Sequence, residues 1–218
     1  MFTGLIQEIG EIASSERVTS QNRGSVTRIT IKAANVPSEL KTGDSVAVSG
    51  VCLTAVEIGE HQFSADLAEE TLKRTSLQRL KPGSMVNLEL PAKAQDRMGG
   101  HVVQGHVDGV GSIVSLQKIK FRDDWRLVVE LPSELSRYVV PQGSITIEGI
   151  SLTIADIEGS RVEIAIIPHT WQSTNLRALH NNDPVNIEVD VLAKYAEKIS
   201  HGKTHGKLTI SDLIKQGF

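Results

Sequence analysis

Apolar and polar residues alternate in short segments along most of the chain. In residues 26–33, Ile29 and Ile31 alternate with charged and hydroxyl-bearing residues, which is the pattern of a strand with one buried face. Similar segments follow at residues 45–48, 52–58, 62–67 and 85–90, with turn sequences between them. About six short strands and one short helix predict a small, closed or nearly closed antiparallel β-barrel.

The chain contains this barrel unit twice. Residues 46–58, VAVSGVCLTAVEI, match residues 145–157, ITIEGISLTIADI, without a gap, and the same offset continues to the last strand of each unit. The identical pairs include Gly50 and Gly149, Leu53 and Leu152, Thr54 and Thr153, Thr71 and Thr170, Asn87 and Asn186, and Glu89 and Glu188. Unrelated strands would share scattered Val and Ile, but not Gly, Thr, Asn and Glu in one frame. We therefore predict an all-β chain of two similar barrels in tandem.

The repeat also suggests where each unit begins. Residues 1–12 correspond to residues 102–113, because Gly4 matches Gly105. The first unit therefore begins at the first residue, and we expect the N-terminus to be built into the fold. The polar stretch 91–100 ends in two glycines and is the expected link. These limits divide the chain into an N-terminal barrel (1–101), a C-terminal barrel (102–190) and a C-terminal helix with its tail (191–218).

Beyond Asp190 the pattern changes from period two to helical. The apolar residues Val191, Leu192, Tyr195 and Ile199 recur at helical spacing, opposite Lys194, Glu197 and Lys198. No barrel unit remains to cover this apolar face, so we expect it to pack on a neighbouring domain or on another copy of the chain. The tail carries Gly202-Lys203-Thr204, which imitates a phosphate loop without its upstream glycine and strand, and a short capped segment at 211–214.

Composition narrows the classes of function. The formal net charge is −3 and the sequence pI about 6.2, with no basic stripe, which disfavours nucleic acid as a partner. The chain begins without the pattern of a signal peptide and has no apolar run of about 18 residues, so we expect a cytoplasmic protein without membrane association. A single cysteine, Cys52, excludes an internal disulfide and a multi-cysteine zinc site. The common nucleotide and hydrolase motifs do not occur, and we expect no cofactor.

Residues 99–109, GGHVVQGHVDG, combine two histidines and an aspartate at a predicted strand. On a strand, His101 and His106 would point to opposite faces, whereas His106 and Asp108 would share one. A third metal ligand is not evident, and we predict no metal site. Three interpretations of His106 stay open: a metal ligand, a structural residue, and a base or hydrogen-bond partner in a binding site, of which we favour the last.

Ser151 and Thr153 lie two residues apart, so on a strand both hydroxyls share a face and Leu152 points to the other. Cys52 and Thr54 repeat the arrangement in the first unit. If these pairs face into a barrel, they need hydrogen bonds from the backbone or from a ligand; ordinary packing of strand residues is the alternative. Because Cys52 stands where the second unit has Ser151, we predict two related binding sites with different roles.

Several motifs occur in order along the chain: MFTGLIQEIG, GDSVAVSGVCLT, GGHVVQGHVDG, GSITIEGISLT, IPHT and VNIEVD. Together they resemble the riboflavin synthase family of the trimeric, internally repeated type, over about residues 1 to 195. The resemblance implies two six-stranded antiparallel Greek-key barrels, each binding one 6,7-dimethyl-8-ribityllumazine, and a C-terminal helix that joins three chains. It places the active site between the N-terminal barrel of one chain and the C-terminal barrel of the next. There, a four-carbon unit would pass between two lumazines, giving riboflavin and 5-amino-6-ribitylamino-uracil.

The resemblance also implies the residues of the site. The catalytic candidates are His106, Phe2, Cys52 and Ser45 on the N-barrel side and Ser151, Thr153 and Asp190 on the C-barrel side. Proton transfer by His106 and activation through Ser151 and Thr153 are the expected roles. Substrate contacts are implied at Gly4, Leu5, Ile6, Cys52, Leu53, Thr54, Asp66, Leu67, Ala68, Glu69, Glu70, Thr71, Gly105, His106, Val107, Gln142, Ser151, Leu152, Thr153, Ala165, Ile166, Ile167, Pro168, His169 and Thr170.

Two positions depart from the family pattern. Glu148 stands at a position where the family often has Asp. Gln142 stands where the family often has Lys, so a cation that could form an ion pair is missing there.

Two other classes of function compete with the enzyme. Lumazine-carrying fluorescent antenna proteins keep this fold without catalysis, and we expect them to lose polar site residues in one half. Both halves here retain such residues, which favours the enzyme over the antenna and over a duplicated interaction module. An association with the lumazine-producing enzyme, lumazine synthase, stays open.

Overall fold

The computed structural model describes residues 1–20 and 24–202, and these form two barrels followed by a helix. The first barrel consists of β1 (Glu8–Ser20), β2 (Gly24–Lys32), β3 (Ser45–Val48), β4 (Val51–Gly59), β5 (Gln62–Leu67) and β6 (Met85–Glu89). Its strands close in the order β1-β2-β5-β4-β3-β6, all neighbours antiparallel. The phosphate-loop imitation and the capped segment 211–214 fall largely or wholly outside the described residues.

The second barrel repeats this topology. It consists of β7 (Gly109–Lys118), β8 (Trp125–Glu130), β9 (Ser144–Ile147), β10 (Ile150–Glu158), β11 (Arg161–Ile166) and β12 (Pro184–Val189). Reading from β7, the closed order is β7-β8-β11-β10-β9-β12, in which each strand takes the place of its counterpart in the first barrel. The predicted fold, two six-stranded antiparallel barrels, is therefore confirmed.

Short helices connect the strands. They are α1 (Val36–Glu39), α2 (Glu69–Arg74), α3 (Pro168–Ser173) and 3-10 turns at Ser76–Arg79, Ser133–Tyr138 and Asn175–Ala178, and the chain continues into α4 (Val191–Gly202). α2 and α3 occupy equivalent positions in the two barrels, directly after β5 and β11. None of the helices that the structure describes is long and apolar enough to cross a membrane.

Each barrel has its own core of branched aliphatic side chains. Ile29 and Ile31 of β2 are 1% and 0% exposed, as their alternation predicts, and they pack with residues of every other strand of the first barrel. The buried residues of the second core are all Val, Ile and Leu, whereas the first core also contains Phe63 and three alanines. Since Val, Ile and Leu fit a pleated, buried surface well, the low aromatic content does not prevent a complete core.

The two barrels meet at the turns that join β3 to β4 and β9 to β10. Gly50 and Gly149 face each other there, both with positive φ, and a Cβ added to Gly50 would lie 2.7 Å from the Gly149 nitrogen. Asn87 and Asn186 cross the same boundary: the Asn87 amide donates to the Glu148 carbonyl, and the Asn186 amide donates to the Ser49 carbonyl. The repeated residues therefore form a pseudo-twofold interface.

Candidate active site

The segment that precedes each barrel lies on the face of the other barrel. The Ser151 backbone N–H of the second barrel donates to the Gly4 carbonyl at 2.8 Å, and the Cys52 N–H of the first barrel donates to the Gly105 carbonyl at 2.8 Å. Ile6 packs against the core of the second barrel and Val107 against the core of the first. We call residues 1–6 and 102–107 the exchanged segments.

The exchanged segments also pair with each other. Phe2 and Val103 form an antiparallel bridge, with the Phe2 N–H donating to the Val103 carbonyl at 2.7 Å and the Val103 N–H donating back at 3.1 Å. Phe2 is 1% exposed and packs with Ala47, Val103 and Cys52. The N-terminus is thus built into the fold as predicted, and Phe2 lies beside Cys52.

The face of the first barrel collects the candidates that the sequence assigned to it. Ser45 of β3 pairs with Thr54 of β4, two residues from Cys52. His106 is exposed and directly follows Gly105, at which an added Cβ would lie 2.7 Å from the Cys52 Cβ. Cys52, Thr54, Ser45 and His106 therefore form one open face that the second exchanged segment completes.

The hydroxyl and thiol pairs do not face into the barrels. Leu53 and Leu152 point into the barrels, 6% and 8% exposed, while Thr54 and Thr153 are exposed. Because neighbouring side chains on a strand point to opposite faces, an aliphatic residue in the core forces its neighbours outward. The pairs are consequently accessible to a ligand on the outer surface.

His101 is a site residue that the sequence argument missed. Its Nδ1 lies 2.7 Å from the Ser151 hydroxyl oxygen and its Nε2 lies 3.1 Å from the buried Thr146 hydroxyl oxygen. Burial lowers the pKa of His101, and the negative charge of Asp190 partly opposes this. A largely neutral imidazole can accept the Ser151 proton at one nitrogen and donate to Thr146 from the other.

His101 was missed because residues 99–109 do not form the predicted strand. Only Val103 bridges, Gly105 has a φ of 77°, and β7 begins at Gly109. The argument from strand alternation, which separated His101 from His106, therefore does not apply. Among the residues that the structure describes, no group of three potential ligands could hold a metal ion.

The remaining C-barrel candidates lie near His101 or next to Thr153. Asp190 acts on His101 electrostatically, and its Oδ1 accepts the Leu192 N–H at the start of α4. Gln142 occupies an exposed turn, with a φ of 64°, and its N–H donates to the carbonyl of Ile154, next to Thr153. The structure thus brings Ser151, Thr153, Asp190 and His101 to one face of the second barrel.

The two faces differ where β5 and β11 lead into α2 and α3. Arg28 holds the Asp66 carboxylate through Nε–Oδ1 at 2.7 Å and Nη2–Oδ2 at 3.0 Å. The second barrel has Ala165 in place of Asp66, and the indoles of Trp125 and Trp171 stack there with ring centroids 3.6 Å apart. One face is therefore bordered by charges and the other by aromatic rings.

The remaining predicted contacts lie at the same two strand-to-helix junctions. Leu67 ends β5 with its side chain in the core, and Ile166 does the same in β11. Glu69 and Glu70 form ion pairs within α2, with Lys73 and Arg74. The other predicted contacts at these junctions are Ala68, Thr71, Ile167, Pro168, His169 and Thr170, and Leu5 lies in the first exchanged segment.

Two cavities lie away from these faces. A cavity of about 660 Å³ is lined by Glu8, Lys32, His61 and neighbouring residues of the first barrel. A second, of about 370 Å³, lies between the barrels and contains Glu148 and Asn175. Neither contains a predicted site residue, so neither is the candidate site.

Comparisons with known proteins agree with this geometry. The model of the lumazine binding domain family matches the chain twice, at residues 3–91 and 104–190. The riboflavin synthase of Mycobacterium tuberculosis is 43% identical over 204 residues, covering 91% of this chain and 98% of the relative. That of Bacillus subtilis is 38% identical over 222 residues, covering both chains completely. The chain belongs to the riboflavin synthase family.

Membership of the riboflavin synthase family identifies the chain as an enzyme, a transferase of a four-carbon unit. Solved structures of LumP share the fold. The complex of LumP with riboflavin has a TM-score of 0.77 at 23% identity and covers 87% of this chain and 99% of LumP. The complex of LumP with 6,7-dimethyl-8-(1'-D-ribityl) lumazine has a TM-score of 0.74 at the same identity and coverage.

Three buried glutamates are a further feature that the sequence argument did not interpret as functional. Glu89 is the last residue of β6 and Glu188 the last but one of β12, and each is 3% exposed. Glu148, noted only as a departure, accepts hydrogen bonds from the Asn186 N–H, the Ser76 hydroxyl and the Asn175 amide. Burial raises the pKa of all three carboxyl groups, against the donors that lower it. The signal available in the sequence for Glu89 and Glu188 was their recurrence in both copies, whereas the counterpart of Glu148 is Ser49.

Proposed function

We propose that this chain catalyses the dismutation of two 6,7-dimethyl-8-ribityllumazine molecules to riboflavin and 5-amino-6-ribitylamino-uracil. The observation that carries the proposal is the pair of similar outward faces, each made of one barrel and one exchanged segment. A reaction between two copies of one molecule needs two similar sites, and two repeated barrels supply them. Holding two rings at reacting distance can itself contribute roughly 7–11 kcal/mol.

We assign the residues of each face as follows. On the N-barrel face, His106 takes part in proton transfer beside Cys52, Ser45 and Phe2. On the C-barrel face, Ser151 and Thr153 activate the bound lumazine, with Asp190 nearby. One lumazine loses a proton of its 7-methyl group, and C7 of the other accepts a nucleophile. The substrate contacts are those named from the sequence, and the exposure of Thr54 and Thr153 on the two faces supports them.

We propose a homotrimer in which the N-barrel face of one chain meets the C-barrel face of the next. The support comes from α4, where the apolar side chains of Leu192, Tyr195 and Ile199 are 61–65% exposed. The polar residues of α4 bind their own chain instead: Lys194 Nζ lies 2.6 Å from Asp108 Oδ1, and Glu197 pairs with Arg137. An apolar face of this kind, opposite a tethered polar face, suits a contact between copies.

The division into 1–101, 102–190 and 191–218 belongs to this proposal, with the exchanged segments serving the opposite barrel. A cytoplasmic location and an association with lumazine synthase stay predictions. The assignment as an enzyme rather than an antenna rests on the polar groups that both faces retain.

A single assay tests the function. Purified protein is mixed with 6,7-dimethyl-8-ribityllumazine in metal-free buffer, and absorbance is followed at the riboflavin band. We expect one riboflavin for every two lumazines consumed. Tight binding without turnover would instead indicate a carrier, and no binding would indicate an interaction module.

Variants then test the assigned roles. We expect His106→Ala and Ser151→Ala to slow turnover, while His61→Ala, an exposed histidine away from both faces, leaves it unchanged. Unchanged turnover in either of the first two variants would remove that residue from the mechanism.

A further inference from the structure

Glu89 and Glu188 occupy equivalent positions near the ends of β6 and β12. Their carboxylates accept hydrogen bonds from backbone N–H groups rather than from charged side chains. Glu89 Oε1 accepts the Thr3 N–H at 2.7 Å, and Oε2 accepts the Gly4 N–H at 3.0 Å. Glu188 Oε1 accepts the Gln104 N–H at 2.7 Å, and Oε2 accepts the Gly105 N–H at 3.0 Å. Each carboxylate therefore holds two successive amides of one exchanged segment.

The residues held in this way are those that touch the opposite barrel. The Gly4 carbonyl accepts the Ser151 N–H, and the Gly105 carbonyl accepts the Cys52 N–H. Both glycines have positive φ, 75° and 77°, and an added Cβ would lie within 3.0 Å of the backbone nitrogen that each contacts. The peptide at Gly4 or Gly105 is thus fixed from one side by a carboxylate and from the other side by the facing strand.

The support is crossed between the barrels. Glu89 belongs to the first barrel but fixes the segment that lies beside Ser151 on the second. Glu188 belongs to the second barrel but fixes the segment that lies beside Cys52 on the first. Charge-assisted hydrogen bonds of this kind are stronger than neutral ones, and buried carboxylates have few alternative partners.

On this basis we propose that Glu89 and Glu188 are crossed positioning residues: Glu89 shapes the ligand site on the C-terminal barrel, and Glu188 shapes the site on the N-terminal barrel. The proposal rests on the proposed function, since it presumes that each face binds a ring-containing ligand. Neither glutamate contacts the ligand in this role. Each sets the position of the backbone groups at residues 4–6 or 105–107 that would border it.

The single cysteine allows each face to be read separately. Cys52 is the natural thiol of the N-barrel face. The double variant Cys52→Ser/Ser151→Cys moves that thiol to the equivalent position of the C-barrel face. In the natural chain and in the double variant, the rate at which a disulfide reagent labels the thiol is measured at increasing riboflavin concentrations. The riboflavin concentration that halves this rate, the protection midpoint, reports binding at the face that carries the thiol.

Glu89→Gln and Glu188→Gln are each introduced into the natural chain and into the double variant. We expect Glu89→Gln to raise the protection midpoint at position 151 at least tenfold and to leave that at position 52 within about twofold. Glu188→Gln should do the reverse. A glutamine of the same shape keeps one acceptor oxygen but presents an N–H₂ to the second amide, which loses its partner. Glu60→Gln, a carboxylate 91% exposed, is the matched control and should change neither midpoint.

The outcomes separate the inference from the function. An effect on the variant's own barrel, an equal effect on both faces, or no effect would overturn the crossed role while leaving the ligand sites intact. No protection in either parent protein, with no turnover by the natural chain, would overturn the proposed function and the inference with it. If a variant fails to fold, hydrogen exchange of the natural protein decides. The backbone amides of residues 3, 4, 104 and 105 should be protected from exchange. Exchange as fast as that of an open loop would refute their hydrogen bonds to Glu89 and Glu188.

Discussion

The imidazole Nδ1 of His101 lies 2.7 Å from the hydroxyl oxygen of Ser151, although fifty residues separate them in the chain. His101 comes from the segment before the second barrel and Ser151 from β10. In the first copy, Cys52 stands in place of Ser151 and packs beside Phe2 rather than beside a histidine. The two faces therefore differ by a histidine as well as by the Cys-for-Ser exchange.

The first prediction concerns this contact. His101→Ala should lower kcat about tenfold, because losing a hydrogen bond of about 1.4 kcal/mol leaves the Ser151 hydroxyl unoriented. Steady-state kinetics with the lumazine measures the change, with His61→Ala as the exposed control. An unaltered kcat would show that Ser151 needs no imidazole partner.

Acid should affect the same contact in the natural protein. Because burial lowers the pKa of His101, the folded protein keeps a neutral imidazole where an unfolded chain would already bind a proton. Stability from this residue is present above pH about 6.5 and declines as the pH falls toward the folded pKa. Urea unfolding between pH 7 and 5 should show a smaller decline in His101→Gln than in the natural chain. Equal declines would contradict this assignment.

The interface turns give a prediction with a matched control. Gly50→Ala should destabilise the protein by about 3 kcal/mol, since it combines a left-handed backbone with a clash against Gly149. Gly83→Ala has a similar φ, 89°, but nothing lies within 4 Å of an added Cβ, so only the backbone cost of about 1 kcal/mol applies. Urea midpoints measure both, and equal losses would mean that the glycine contact between barrels is unimportant.

The buried Glu148 gives a pH-dependent prediction. Burial raises its pKa in the folded state, so the folded form binds the proton more tightly than the unfolded form. Its stabilising contribution is complete below pH about 4.5 and is lost as the pH rises through the folded pKa. The stability of Glu148→Gln relative to the natural protein should therefore increase as the pH rises above 4.5. A difference independent of pH would show that Glu148 does not titrate in this way.

The apolar face of α4 predicts the state of assembly. Leu192→Asp together with Ile199→Asp should convert the proposed trimer to monomers, because two charges would be placed at the proposed contact between copies. Light scattering after size-exclusion chromatography measures the mass, and activity should fall with it if the site lies between chains. Lys198→Asp, a charge reversal on an exposed residue, is the control. Trimers that persist in the double variant would place the contact elsewhere.

Much of the fold could be predicted from the sequence, because local patterns determine it. Period-two alternation located strands such as β2 and β5, and the ungapped repeat showed that two equal barrels are present. The direction of Ser151 and Thr153 could not be predicted, because alternation shows which residues share a face but not which face fills the core. Leu152 decided that, as the larger apolar side chain.

The arrangement of the site depended on contacts that sequence spacing does not encode. Residues 99–109 look like a strand, yet Gly105 adopts a left-handed conformation and the segment crosses to the other barrel. His101 and Ser151 are therefore neighbours only after both barrels have packed. The hydrogen bonds from backbone amides to Glu89 and Glu188 likewise form only when the exchanged segments are in place. The recurring Asn and Glu indicated a shared task without showing what it is.

The exchange of residues 1–6 and 102–107 has a consequence for the ancestry of the chain. Two units that each lend a segment to the other have the arrangement that results when the subunits of a symmetric dimer become one polypeptide. In such an ancestor both faces would be identical, and every substitution would alter them together. Fusion removes that restriction, so that one face can keep a thiol while its twin acquires a serine and a histidine.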